Sequence, residues 1–128
     1  MTISRIIQSR VQYGDLTYAW NVTKTSGEEL NISESITDSS NDLELTGTLD
    51  VSAMVALLMY SDQDVTIETN DGTTPADTIT LTAGQPLIWH SSSGFTNPLG
   101  TDVTSFFVTN ASGSAANLVI KGLQDPTP

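Results

Sequence analysis

The sequence predicts an all-β fold: an antiparallel β-sandwich, jelly-roll-like, of about nine or ten short strands. Three observations carry that expectation. Apolar residues recur at every second position through most of the 128-residue chain, the period of a strand with one face on a core. Clusters of Gly, Asn, Asp and Pro interrupt the alternation at roughly the eight-to-twelve-residue spacing of sandwich strands. Charged residues make up only 15% of the chain, and Ser, Thr, Asn and Gly stand where a helical bundle would place Ala, Glu and Lys.

Taken in order, the N-terminal stretch of about 1–13 reads as a polar arm. From Leu16 the alternation is clean: Leu16, Tyr18, Trp20 and Val22 oppose Thr17, Ala19, Asn21 and Thr23, a strand with one buried face. Ser26-Gly27 ends it. Leu30, Ile32 and Ile36 resume the row, and Glu34 within it points to an edge or a bend. Residues 38–42 form a turn by composition. Leu43, Leu45 and Leu49 then alternate around Gly47, a position that suits a bulge. Val51 to Tyr60 is apolar on both faces. Helical spacing fits it too, but its length and its β flanks favour a strand.

Val65, Ile67 and Thr69 make the next strand, closed by Asn70-Asp71-Gly72, whose residues tolerate positive φ. Thr78–Thr82 and Leu87–His90 follow. Pro86 lacks a ladder donor and puts the second of these at a sheet edge or just after the proline. A polar loop from Ser91 to Asp102 carries Phe95 and Leu99 as candidate anchors. Strands at about 105–109 and 117–123 complete the set, and two prolines keep the tail, about 124–128, out of any ladder. The whole of 1–128 reads as one domain with an arm and a tail.

Composition narrows the function. Fifteen acids face four bases, Arg5, Arg10, Lys24 and Lys121, for a net charge of −11. Phosphate binding depends on clustered Lys and Arg, so no nucleic acid is expected as a partner, and no anionic membrane. Without cysteine there is no disulfide, thiolate zinc ligand or thiol nucleophile. The first residues show no apolar signal core. Two of the four bases, Arg5 and Arg10, lie in the arm, making it the natural segment to dock on an acidic surface.

The search for chemistry centres on Ser61 to Trp89, "SDQDVTIETNDGTTPADTITLTAGQPLIW". Asp62 and Asp64 lie at one end of a strand and Asp71 at the other, ~20 Å apart at the rise of extended chain, too far to share an ion. Asp71 and Asp77 bracket a loop and form the one pair whose geometry suits calcium. Carboxylates that satisfy turn backbone are far commoner, and neither a metal site nor a cofactor is expected. His90, the single histidine, stands beside Ser91-Ser-Ser-Gly94 without a nucleophile elbow, and one histidine builds no zinc site of the usual kind. No catalytic residue is assigned. Among the aromatics, alternation favours core for Tyr18, Trp20, Trp89 and Phe106. Phe95, in a polar loop, is the exposed one and marks a protein contact or a sugar platform.

With these residues laid out, the chain resembles the small β-structured virion proteins of tailed bacteriophages. The stretches "SDQDVTIETNDGTTPADTITLTAGQPLIW" and "VTSFFVTNASGSAANLVIKGLQD" carry the likeness. The resemblance implies a structural role in the particle, foremost as a capsid decoration or cement protein. Its partners would be the major capsid protein or other virion proteins, its location the virion after synthesis in the host cytoplasm, and its state a homo-oligomer, with a trimer expected. Arg5, Arg10 and Phe95 are the candidate contact residues. A neck, tail or fibre component, a carbohydrate-binding module and, last, a hydrolase are the alternatives.

Overall fold

The computed structural model describes residues 2–125. Among them ten strands follow in order: β1 (Ile3–Tyr13), β2 (Leu16–Ser26), β3 (Glu28–Ile36), β4 (Leu43–Leu49), β5 (Met54–Ser61), β6 (Val65–Thr69), β7 (Thr78–Leu81), β8 (Leu87–His90), β9 (Val103–Thr109) and β10 (Ala116–Gln124). Strands β3, β10, β5 and β8 pair in that order in one antiparallel sheet, and β4, β9, β6 and β7 in a second. Every connection from β3 onward crosses between sheets except β6 to β7. That interleaving is the double Greek key of a jelly roll, the architecture the alternation predicts.

The inner faces close on one apolar core in which Ile36, Leu57, Met59, Ile67, Phe106 and Ile120 are fully or almost fully buried. Two glycines set how closely the sheets approach. A Cβ on Gly122, near the C-terminal end of β10, would lie 2.6 Å from Leu49 Cδ2, and one on Gly47 would lie 3.1 Å from Leu30 Cδ1. The β4 ladder slips beside Gly47, between Thr46 and Leu49, the bulge its glycine suggests. Asn110 locks one end of the body. Its fully buried amide donates to the carbonyls of Ile36 and Ser114 at 3.1 and 2.8 Å, and its Oδ1 accepts from Ser112.

The segment Val51 to Tyr60 divides as its composition does. Val51–Ala53 makes a single 3-10 turn, capped by Asp50, whose carboxylate accepts from the Ser52 N–H at 3.1 Å. From Met54 the chain is a strand. Its apolar outer face is explained by a third element: β1 and β2 form a two-stranded hairpin whose Ile7 buries itself with Ala56 and Leu123.

That hairpin overturns one expectation. Of the polar arm expected over about 1–13, Ile3–Tyr13 is strand β1, paired along its full length with β2 from Ile3↔Ser26 to Tyr13↔Leu16. Gly14-Asp15 is the two-residue turn, with Gly14 at φ 59° in its first position, as a type II′ hairpin requires. Tyr18 and Trp20, expected in the core, are instead 60% and 44% exposed. Among the described residues strand β2 pairs only with β1, and no second layer covers its distal half. Phe106 is buried as expected and Trp89 is half-buried. Gln124, expected to begin a tail outside any ladder, is instead the last rung of β10, paired with Glu28 and accepting from the Asp50 N–H at 2.8 Å; Asp125 follows outside the strand, and 126–128 lie outside the described residues.

Candidate functional site

In an antiparallel ribbon directly paired residues share a face. The register therefore places Ile7, Val11 and Tyr13 with Leu16, Tyr18, Trp20 and Val22 on one side. The other side carries Gln8, Arg10 and Gln12 with Thr17, Ala19 and Asn21 and, nearer the body, the exposed Ile6. Ile7 and Val22, nearer the body, are covered to different degrees, whereas every residue from Arg10 to Asn21 is exposed. The result is a projecting ribbon with one apolar and one polar face. At the base of its apolar face an open groove runs between hairpin and body, lined by Ile7, Trp20, Val22, Ile88, His90 and Phe95. Ile88 and Phe95, on the far wall, are 46% and 81% exposed.

The three expected contact residues take different roles. Arg5 works inside the molecule: its guanidinium grips the Glu29 carboxylate of β3 through Nε at 2.8 Å and Nη2 at 2.6 Å. That fork-on-carboxylate geometry ties β1 to the body. The Arg5 hydrogen bond, with smaller help from Asn31 and Lys121, holds the Glu29 carboxyl below its ordinary range against partial desolvation. Lys24 reinforces the tie through the Ser92 hydroxyl. Arg10 stands free on the polar face of the ribbon, with no ion-pair partner among the described residues. Phe95 is exposed as expected. Its loop is anchored instead by fully buried Leu99 and by Trp89 Nε1–H, which donates to the Phe95 carbonyl at 2.8 Å.

The acids of Ser61 to Trp89 do not converge. Asp62 accepts from the Asn117 backbone N–H and amide at 2.8 and 2.9 Å, which lowers its pKa. Asp64 accepts from Ala83 N–H. Asp71 accepts from Thr73 N–H and the Thr74 hydroxyl, and the first of these chiefly lowers its pKa. Asp77 accepts from Gly100 and Thr101 N–H at 3.0 and 3.2 Å. Asp71 and Asp77, the pair suited to calcium, thus face separate backbone donors. No three His, Cys, Asp or Glu side chains among the described residues form a metal-holding group. Glu68 is the exception to the lowered values: partial desolvation, then the Asp42 carboxyl, then Asp71, push its pKa up. His90 is nearly buried beside the groove, and its Nδ1 has no hydrogen-bond partner among the described residues. No helix among them is long and apolar enough to cross a membrane.

The apolar ribbon and its groove are the features that sequence reasoning missed. Gly14-Asp15 between two polar-apolar alternations is the signal that could have found the hairpin. Nothing local announces that its apolar face is uncovered.

Comparison with known proteins adds little detail. No family model matches the chain, and no curated protein matches it. Among solved structures it is similar to the infectious bursal disease virus VP2 subviral particle, at 13% identity and a TM-score of 0.33. That match covers 92% of this chain and 37% of the other, so the chain spans little more than a third of the length of the protein it resembles.

Proposed function

We propose that the chain is a non-enzymatic structural protein of a virion, a decoration or cement protein on the capsid of a tailed phage. One observation supports the reading above others: a compact acidic jelly roll carries a projecting ribbon with exposed apolar side chains. Exposed apolar patches of this extent are characteristic of assembly surfaces. The jelly roll is a fold used by viral capsid domains, although also by lectins, so the ribbon and not the fold bears the weight. The acidic body would keep the protein off packaged nucleic acid. Arg10, on the polar face of the ribbon, is the residue offered to an acidic lattice. Weak contacts repeated at many equivalent sites would give firm attachment.

The test is addition of purified protein to capsids of the encoding phage prepared without it. Co-sedimentation, and a higher temperature of capsid disruption, are the expected results. Neither occurring would refute the reading. Antibody labelling confined to the neck, tail or fibres would move the protein to those structures.

A carbohydrate-binding role is the second reading, favoured by Trp20 and Phe95 lining one groove with Ser92 and Ser93. Glycan-array binding that is lost in Phe95→Ala would support it, and a blank array would remove it.

A further inference from the structure

We propose that the apolar face of the hairpin is a self-association surface: two copies stack these faces with their ribbons antiparallel, making a two-fold dimer. The face is one-sided. Val11, Tyr13, Leu16, Tyr18 and Trp20 are 48%, 83%, 54%, 60% and 44% exposed. Their cross-strand register sets them in one row, opposite a polar row. Taking large side chains at their usual areas, the exposed portion of this row is on the order of 600 Å². Ile88 and Phe95 across the groove bring it to about 800 Å², what one partner contributes to a standard stable interface.

Charge keeps any contact between copies away from the bodies. Residues 3–26 hold Arg5, Arg10 and Lys24 against Asp15 alone, a net charge of +2, whereas residues 27–128 hold fourteen acids against Lys121 alone, a net charge of −13. Two bodies repel each other strongly and two ribbons, at +2 each, far more weakly, so the ribbon is the region of the surface on which copies meet at least electrostatic cost. Antiparallel stacking sends the two bodies to opposite ends. It also carries each tip, Tyr13 and Leu16 with Asp15 between the strands, toward the partner's groove. Lys24 lies at that rim. It bonds the neutral Ser92 hydroxyl and has no carboxylate partner among the described residues, so it can meet the incoming Asp15. The contact is isologous, each ribbon giving and receiving the same surface, and therefore closes at two copies. The polar faces, with Arg10, remain outward on both sides of the pair. A dimer of this kind departs from the trimer expected above.

Light scattering on the purified chain tests this directly. The expected mass is twice the 13.6 kDa of one chain, and the Tyr13→Ser/Tyr18→Ser double variant should be monomeric, with the melting temperature of wild type diluted to monomer. Because the chain has no cysteine, single cysteines report geometry. Val11→Cys, at the middle of the stacked row, should give a covalent dimer with a short bismaleimide. Ala111→Cys, in the loop at the far end of β10, should not. A monomeric wild-type chain overturns the proposal, and so does a mass above the dimer or an oligomer that survives the double substitution. A chain that is monomeric alone, yet loses capsid binding in the double variant, also overturns it and gives the face to the lattice. Since the measurement needs only purified protein, its failure leaves the capsid reading standing.

Discussion

The sandwich body and the hairpin are built from the same kind of alternating strand, yet they differ in what meets the apolar side. In the body each inner row lies against an opposing sheet, so Phe106 and Ile67 are completely buried. In the hairpin the row of Tyr13, Leu16 and Tyr18 is left uncovered among the described residues and stays exposed. Alternation therefore specifies that a strand is two-faced. Whether the apolar face is filled from within the chain depends on topology. An unfilled face stays open to solvent, where it is available to another molecule.

Substitutions that treat the two regions alike should expose the difference. Phe106→Ala is expected to cost about 3–5 kcal/mol in urea unfolding, the range for deleting a core aromatic. Tyr18→Ala in dilute monomer should move the midpoint by no more than ~0.5 kcal/mol. A comparable loss in the second variant would mean that the ribbon belongs to the folding unit. Next in size, Asn110→Ala should cost about 1–3 kcal/mol by leaving the carbonyls it serves without a donor. Gly122→Ala should cost a similar ~1–3 kcal/mol, by forcing Leu49 aside. Both would be read by thermal melting of the body. Arg5→Ala should leave that melt nearly unchanged while hydrogen exchange quickens in β1 and β2, since the guanidinium ties the hairpin to β3. Uniform exchange across both regions would show that the tie is dispensable.

The smallest expected effect is on pH. Glu29, Asp62 and Asp71 have lowered values, so folding favours their ionised forms; the stability they add is present above their unfolded range and disappears as pH falls through the folded values. Glu68 has a raised value, so folding favours its protonated form and its contribution grows as pH falls. Glu68→Gln should accordingly raise the melting temperature slightly at pH 7, with the gain fading as pH falls and the native carboxyl takes up its proton. A gain that is constant with pH would place the effect outside the carboxylate contacts.

Much of the body was legible along the chain. Pro86 does precede an edge strand, Gly47 does sit at a ladder irregularity, and Val51 to Tyr60 is a strand after one short turn. Each of these follows from a local rule about donors, side-chain bulk or length. Strand β1 escaped because Ile6 and Ile7 are adjacent and Arg5 and Ser9 fall within its apolar row, blurring the period. The candidate site escaped for a different reason. Phe95 announces its exposure by standing in a polar loop, whereas Trp20 and Ile88 become groove walls only once the hairpin lies against β8. Arg5 illustrates the converse. A basic residue in an acidic chain invites an external partner, and the fold supplies an internal one, Glu29.

One junction has a mechanical consequence. Gly27 alone separates β2 from β3, so the ribbon is joined to the body by the shortest of links. A load borne at the ribbon tip passes through Gly27 into β3, which is held to β10 by a nine-pair antiparallel ladder, Glu28↔Gln124 to Ile36↔Ala116. Pulled along its length, such a ladder must shear all its rungs together. Pulled across it, the rungs open in succession, each bearing the load alone. The direction from which a neighbour tugs on the tip would thus decide whether the attachment behaves as a strong tether or as a zipper.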